Sequence, residues 1–394
     1  MNRFTRHIAP MLFVVLLLTS LITGCQRKPL YLVQHGNVSI ATAEFDLRLE
    51  MLWGMDWQTQ WQYPWDEAKY GPIGYTEPTG VHVIAYQLDD AMERFRWHYD
   101  RHVSNKGGRV QLTTKEYYDM LLYNDDTEWI HFTDREEHRQ NNSDFATFNV
   151  TTRTNSRAKY TRSQVGYNEP DQLFGTLIDD IYISDDPEDY IIERNEDGSV
   201  TYVCKMEASL QPYTYIYLYQ VILKNNRTDK GDTIVTSYSG ITANGLAAGV
   251  DLFTGQTHDT PVSLTQDLVA PMALEHAVTL PDGTDTVADI IGARVQTWGL
   301  PGIVPMRALT RGEEVMVKDS TYLGIGLRLH NGITYVMQSN VTEQMQQHPT
   351  GGVITILLDV TKEIPDSIIN HKPTGGFSPT VSQWENDENV EIEI

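Results

Sequence analysis

The residues of this sequence that could do chemistry by their type and spacing are two histidines and several clustered carboxylates. His98 and His102 stand four residues apart, a spacing that would suit a zinc site on a helix. The residues around them alternate with period two, which predicts a strand with both histidines on or near its solvated face. Carboxylates at Asp179, Asp180 and 185–189 could bind calcium, but they lack the ligand order of a calcium loop. We therefore expect solvated side chains at both places and no bound metal.

Motifs of the common enzyme classes are missing from the sequence. It has no phosphate-binding loop, no dinucleotide-binding glycine pattern, no HExxH, no CxxC and no GxSxG. Any two of the 53 acidic residues could form a glycosidase pair, but a sequence does not give the separation that this chemistry requires. We predict a protein without catalytic residues and keep a hydrolase with a dispersed site as an alternative.

Cys25 carries the clearest chemical prediction. A positively charged start, an apolar run over 11–18 and the small residues Thr23 and Gly24 precede it. This layout is typical of a secretory signal peptide, here residues 1–24, and residues 22–25 (Ile-Thr-Gly-Cys) resemble the lipoprotein signal motif. Cleavage before Cys25 would leave this cysteine to carry a diacylglycerol, and two or more acyl chains anchor a protein stably at a membrane. An ordinary signal peptide with an incidental cysteine is the alternative.

The second of the two cysteines, Cys204, lies in an alternating segment over 200–206 that predicts a strand. A free cysteine inside a strand usually behaves as a small buried apolar residue, so we expect no reactive role for it. If Cys25 carries lipid, the chain has no intramolecular disulfide.

A series of tryptophans is the most distinctive local pattern. The residues Trp53, Trp57, Trp61 and Trp65 recur at every fourth position, which on a helix would place them along one stripe. Such a surface could contact a glycan, a lipid or a protein partner, because tryptophan is amphipathic and common at binding hot spots. The interpretation that we favour is a loop, over 54–80, that folds its rings back over the core.

The composition excludes one class of partner. The chain has 394 residues and a formal net charge of −23, and nucleic acid requires a positive surface. After residue 24 there is no second run of about 18 apolar residues that could form a membrane-spanning helix. The 21 tyrosines and eight tryptophans favour strands.

Alternation with period two recurs along the chain and predicts an all-β fold. Phe45, Leu47 and Leu49 alternate with charged residues, which indicates a strand with one buried face. Near the other end, Leu323, Ile325 and Leu327 lead to an Asn-Gly pair, a strong hairpin signal. Regularly spaced short strands suggest two β-sandwich domains. The predicted units are a signal peptide (1–24), a lipidated tether (25–36), an N-terminal sandwich (37–152), a connection (153–195), a C-terminal sandwich (196–362) and an acidic tail (363–394).

Several segments, taken in order, resemble a known family. They are 25–31, 117–128, 239–250 and 375–384. Together they resemble the fimbrillin-like lipoproteins of gut and oral anaerobic bacteria, and more narrowly a domain family of unknown function related to the anchor subunits of type V pili. The resemblance implies two transthyretin- or immunoglobulin-like β-sandwiches, no enzyme activity and no cofactor.

The resemblance also implies partners and a location. Type V pilins assemble by strand addition after a protease removes their first strand behind an Arg or Lys. Here Arg27 and Lys28 precede the first strand and the next basic residue, Arg48, lies inside it, which favours a retained anchor or accessory subunit. We expect attachment to the outer membrane through acylated Cys25, at the cell surface or at the periplasmic face, with pilus subunits as partners. The alternative is a glycan-binding lipoprotein for adhesion or polysaccharide uptake.

Overall fold

A computed structural model describes residues 37–50, 57–124, 126–141, 145–155, 166–266, 270–305 and 319–371, and the backbone of 380–382 and 391–393. The predicted signal peptide, the tether, Cys25, Trp53 and much of the tail lie outside the described residues. Among the helices that are described, none is long and apolar enough to cross a membrane.

Strands dominate the described residues, which confirms the all-β class. The strands up to residue 212 are β1 (Ile40–Leu49), β2 (Gly80–Leu88), β3 (Arg94–Ser104), β4 (Gly107–Thr113), β5 (Glu116–Tyr123), β6 (Ile130–Phe132), β7 (Asn149–Thr152), β8 (Thr154–Asn155), β9 (Gly166–Tyr167), β10 (Phe174–Ile183), β11 (Ile191–Arg194) and β12 (Val200–Pro212). The later strands are β13 (Tyr215–Lys224), β14 (Val235–Ala247), β15 (Gly249–Asp251), β16 (Pro261–Gln266), β17 (Ala273–Thr279), β18 (Asp285–Thr297), β19 (Tyr322–Leu329), β20 (Thr334–Asn340), β21 (Gly352–Asp359), β22 (Thr380–Ser382) and β23 (Glu391–Glu393).

The helices that the structure describes are short and lie between strands. They are α1 (Trp57–Gln60), α2 (Glu67–Tyr70), α3 (Arg135–Arg139), a 3-10 turn (Pro187–Asp189), α4 (Thr342–Gln347), α5 (Val360–Glu363) and α6 (Asp366–Ile369). The segment 54–80, predicted as loop, therefore includes two single-turn helices.

The first sheet curls into a barrel. Its strand order is β1-β4-β3-β2-β5-β10-β12-β11, and β1 also pairs with β12, which closes the sheet. The strand predicted from Phe45 and Leu47 is β1, and both side chains lie in the barrel core. The structure thus differs here from the predicted two-sheet sandwich. Alternation of buried and exposed residues is the same in both architectures, so it could not distinguish them.

The closure of the barrel is incomplete between β10 and β12. These strands pair with each other at only two positions, Phe174 with Pro212 and Gly175 with Gln211. Beyond that point β10 contains a bulge and diverges from β12. We call the facing edges, 176–183 of β10 and 204–210 of β12, the seam. Core side chains are only partly buried there, namely Ile178, Ile181, Cys204 and Met206.

Two further sheets enclose a second core. One has the order β17-β18-β13-β21 and the other β23-β22-β20-β19-β14-β16-β9-β8. Side chains from both sheets form a single buried cluster that includes Leu323, Ile325 and Leu327, as predicted. The predicted hairpin joins β19 to β20, with Gly332 at a φ of 86° in its turn. We call this unit the sandwich.

The chain passes between the barrel and the sandwich more than once. Within the predicted connection, 153–195, β8 and β9 join the eight-stranded sheet, whereas β10 and β11 join the barrel. A small sheet, β15-β7-β6, lies at the junction. A third buried cluster there combines residues of the barrel, such as Tyr86, with Trp298 after β18. The domain boundaries stay a prediction, but the barrel and the sandwich share a packed interface.

Residues 57–79 form a strap between β1 and β2. Although both of these strands belong to the barrel, the strap packs on the outer face of the four-stranded sheet of the sandwich. Ile216 and Leu218 lie on the face of β13 that points away from the sandwich core, and the strap buries them. The sandwich therefore has a third covering layer supplied by the N-terminal part of the chain.

Candidate functional site: the strap and the cleft

The tryptophan series lies mainly in the strap. Trp57 begins α1 and Trp61 follows that helix, while Trp65 comes after Pro64. All three rings are partly buried and pack against the apolar face of the four-stranded sheet. They therefore cover a core, as in the interpretation that we favoured, but the core is that of the sandwich. A role of Trp57, Trp61 and Trp65 in partner or glycan contact stays a prediction, and so does that of Trp53.

Tyr63 fixes the strap to the sheet. Its hydroxyl donates to the carbonyl of Pro271 at 2.6 Å. Its ring lies on Gly292 of β18, where an added Cβ would come within 2.2 Å of a ring carbon. The neighbouring Gln62 donates to the carbonyl of Thr279 at 2.8 Å. The strap thus depends on a glycine that leaves room for an aromatic ring.

A cleft of about 670 Å3 opens where the strap, loops of the barrel and the sandwich meet. The volume lies within the range of small-molecule sites, about 300–1,000 Å3. Its aromatic wall comprises Trp65, Tyr70 and Trp129. Its polar wall includes Asp126, Asn168, Glu169, Asp171, Gln172, Thr265, Gln266, Arg294 and Gln296. A lining that combines aromatic and polar side chains suits an amphipathic ligand.

Glu169 and Arg294 set the electrostatics of the cleft. Burial raises the pKa of Glu169 to about 7, although the positive charge of Arg294 and the backbone N–H of Gln296 oppose this shift. Arg294 donates from Nε to the carbonyl of Ile73 at 2.8 Å and from Nη2 to Gln296 Oε1 at 2.9 Å. Burial also lowers the pKa of Arg294. One acid and one cation thus share a poorly hydrated wall.

Three polar atoms on this wall are buried without a hydrogen-bond partner among the described residues. They are Glu169 Oε1, Thr265 Oγ1 and Gln266 Oε1. Buried polar atoms in folded proteins nearly always have a partner, so each exception requires an explanation. Their concentration in one cleft indicates that the cleft is suited to a ligand that brings hydrogen-bond donors.

Side-chain hydrogen bonds hold the loops around the cleft. Asp171 Oδ2 accepts from the backbone N–H groups of Glu128 and Trp129 at 2.6 and 2.5 Å. Gln172 Oε1 accepts from the backbone of Thr76 at 2.8 Å. Asp126 Oδ2 accepts from Thr79 N at 2.9 Å. The strap and the barrel loops are therefore tied to each other, which keeps the cleft in one shape.

The histidines and acidic residues that could have bound metal lie elsewhere. His98 and His102 both lie on β3, and the predicted strand is confirmed. The ring of His102 lies 5.4 Å from that of His82. In the acidic turn, Asp185 pairs with Lys115 at 2.9 Å. The described part of the chain holds no group of three or more metal-ligating side chains, and a metal-free protein stays a prediction.

Cys204 lies on β12 at the seam. Its Sγ is 3.6 Å from the carbonyl oxygen of Thr42, and burial raises the pKa of its thiol. A raised pKa keeps the thiol protonated and poorly nucleophilic. Cys204 is only partly buried, and its lack of a reactive role stays a prediction.

The cleft residues were not found from the sequence. The sequence points to Trp65 only as a member of the tryptophan series. It gives no signal for Trp129, Glu169, Thr265 or Gln266. These residues come from the strap, from loops near β5 and β9, and from β16. No local spacing connects them, because only the packing of the sandwich against the barrel brings them together.

The fold and the cleft define an all-β protein with a barrel, a sandwich and a cavity where they meet. Residues 67–250 match the family model described as "Domain of unknown function (DUF5119)". The predicted resemblance to a domain family of unknown function is thereby confirmed over these residues. No curated protein matches the chain.

Solved structures from two Bacteroides species and from Porphyromonas gingivalis are distantly similar to this chain. A structure described as "a putative adhesin" from Bacteroides ovatus is 16% identical, with 86% of this chain and 97% of that chain covered and a TM-score of 0.44. One described as "putative polysaccharide binding proteins" from Bacteroides thetaiotaomicron is 8% identical, with 81% and 91% covered and a TM-score of 0.41. The fimbrial anchor protein Mfa2 from Porphyromonas gingivalis is 8% identical, with 80% and 91% covered and a TM-score of 0.36. All three TM-scores are below 0.5, so these structures do not assign a function to this chain.

Proposed function

We propose that this chain is a non-enzymatic, lipid-anchored protein that serves as an anchor or accessory subunit of a fimbrillin-type pilus at the outer membrane. One observation carries the proposal, namely the position of β1. A pilin that polymerises by strand exchange must release its first strand. A subunit that stays at the membrane must keep it.

The first strand of the described residues, β1, is built into the barrel on both of its edges. It pairs in parallel with β12 from Thr42 to Leu49 and antiparallel with β4 from Ile40 to Asp46. Its inward side chains, which include Phe45 and Leu47, are buried in the barrel core. Loss of β1 would open two ladders and expose that core. Cleavage behind Arg27 or Lys28 would release the protein from its lipid and leave β1 in place.

The seam supports strand addition as the mode of partner contact. Along 176–183 and 204–210 the two strands do not pair with each other, so the seam is an edge to which an extended segment could add. Partly exposed core side chains, such as Ile181 and Met206, lie beneath. An added strand would supply backbone hydrogen bonds and would cover these side chains, which is the pattern of β-augmentation.

The anchor itself supports a position at the base of a fibre. Lipid on Cys25 would hold the chain, and the tether of about ten residues would reach at most ~36 Å when extended. The body of the protein would therefore stay close to the membrane. This arrangement suits a fibre base better than a distant tip adhesin.

The test is deletion of the gene in the native bacterium, followed by counts of cell-attached and released fibres. We expect fibre subunits to be made but to be shed or irregular in length, and re-expression of the wild-type chain to restore attachment. Re-expression of Cys25→Ser should fail to restore it and should abolish labelling with a clickable fatty acid. Unchanged fibre attachment and length after deletion would contradict the proposal.

Photo-crosslinking tests the seam directly. A photoreactive amino acid at exposed Asp179 of β10 should capture the fibre subunit, whereas the same residue at exposed Arg96 of β3 should not. Equal capture from both positions would show that the seam has no special role.

A glycan-binding role is the second candidate function, and the cleft with its aromatic and polar walls favours it. Binding and anchoring are separate properties, so this candidate does not exclude the first.

A further inference from the structure

We infer that the cleft between the barrel and the sandwich is a carbohydrate-binding site that accepts a neutral oligosaccharide. Trp129 supplies the stacking surface, and Glu169, Thr265 and Gln266 bind sugar hydroxyl groups. The inference rests on the second candidate function, glycan binding, and names its site and the class of sugar; it does not depend on the pilus function.

The unpartnered atoms specify the polar chemistry of the ligand. Gln266 Oε1 is an acceptor, Thr265 Oγ1 can both donate and accept, and Glu169 accepts when ionised and can donate when protonated. Each is buried without a partner, so a hydrogen bond from a ligand would remove the cost of leaving it unpaired. A ligand for these atoms therefore needs several groups that donate and also accept. The hydroxyl groups around a sugar ring have this property.

The aromatic wall specifies the apolar chemistry of the ligand. Trp129 is 43% exposed beside the polar wall. A pyranose ring has a face of C–H groups that packs on an aromatic ring and removes apolar surface from water. Trp65 is held in orientation because its Nε1 donates to the carbonyl of Gly71 at 2.9 Å. The cleft thus offers a sugar both a stacking surface and hydrogen-bonding groups.

The support around Trp129 makes the site preorganised. Its backbone N–H donates to Asp171 Oδ2 at 2.5 Å, and Gln172 next to that residue accepts from Thr76 in the strap. A site whose loops are already fixed loses little conformational entropy when it binds. This favours recognition of a weakly binding class of ligand such as sugars.

The charges around the cleft favour a neutral ligand. Asp126 and Asp171 line it and would repel uronic or sialic acids. Arg294 lies on the same wall and would oppose a cationic ligand. Uncharged hexoses and N-acetylhexosamines are repelled neither by the carboxylates nor by Arg294.

The experiment begins with the full-length chain, purified in detergent, on an array of immobilised oligosaccharides. The array carries neutral gluco-, manno-, xylo- and N-acetylglucosamine oligomers together with acidic galacturonic acid oligomers. The best neutral oligomer is then titrated by calorimetry. We expect Trp129→Ala to weaken binding at least tenfold, and Phe95→Ala, which removes a similarly exposed ring (46%) on β3, to leave it unchanged.

A second pair of variants separates binding from folding. Thr265→Val removes a hydroxyl that has no partner among the described residues, so we expect the melting temperature to stay the same or rise while binding weakens about tenfold. Thr350→Val removes another such hydroxyl outside the cleft and should leave binding unchanged. Absence of binding to every neutral oligomer, selective binding of the acidic ones, or equal affinity of wild type, Trp129→Ala and Thr265→Val would overturn the inference.

Discussion

At the scale of single residues, Glu169 is the most informative ionisable group of the described chain. Burial raises its pKa from 4.5 in a free side chain to about 7 in the folded protein. Between these two values the folded state binds a proton that the unfolded state has released. Stability therefore falls as pH rises through this window, and it levels off above pH 7.

Glu169→Gln should remove this dependence. The variant has no titrating group at the position, so the free energy of unfolding of the wild type should fall by about 2–3 kcal/mol relative to the variant between pH 4.5 and pH 8. Urea unfolding of both proteins across this range measures the difference and cancels the contributions of other groups. Parallel stability curves for the two proteins would show that Glu169 titrates normally.

At the scale of elements, the strap shows how a single glycine can hold a long segment. Tyr63 occupies the space above Gly292 that any other side chain would fill. The partly buried rings of Trp61 and Trp65 pack beside it, next to the apolar side chains of the sheet. The strap is therefore attached mainly by aromatic packing on β13 and β18.

Gly292→Ala should detach the strap from the sheet. The added methyl group would overlap the ring of Tyr63, and overpacking of this kind typically costs about 1–3 kcal/mol. Hydrogen exchange of peptides from the strap should become faster, while peptides from β19 should change little. Gly74→Ala is the matched control, because an added Cβ there meets no atom within 4 Å. If the strap exchanges equally in both variants, Tyr63 does not hold it.

The elements also show how far the sequence could predict the fold. Alternation found β1 and β19 correctly, because a strand with one buried face requires it. It could not show that β1 lies beside β12, more than 150 residues away, because pairing depends on the whole sheet. The tryptophans recur as on a helix, yet α1 ends at Gln60, before Trp61 and Trp65. The cleft escaped prediction for the same reason, since its walls come from distant segments.

At the scale of the whole molecule, the barrel and the sandwich are joined by a shared core. The cluster at their junction combines Tyr86 and Leu121 from the barrel with Val250 and Trp298 from the other side. Trp298 is fully buried, and its Nε1 donates to Thr152 Oγ1 at 2.7 Å. The strap adds a second connection. Neither unit could unfold without exposing apolar surface of the other.

We therefore expect the chain to unfold in one cooperative transition. Leu47 lies in the barrel core and Leu327 in the sandwich core, and each Leu→Ala change should cost about 2–5 kcal/mol. Because the two cores are coupled, both variants should shift the same midpoint of urea unfolding, followed by tryptophan fluorescence and by circular dichroism. A surface change on β3, Arg96→Ala, serves as control and should alter the midpoint little. Two separate transitions, with Leu47→Ala moving one and Leu327→Ala the other, would mean that the junction does not couple the two units. In that case the cleft between them could open and close as they move, and its affinity for a ligand would vary with their orientation.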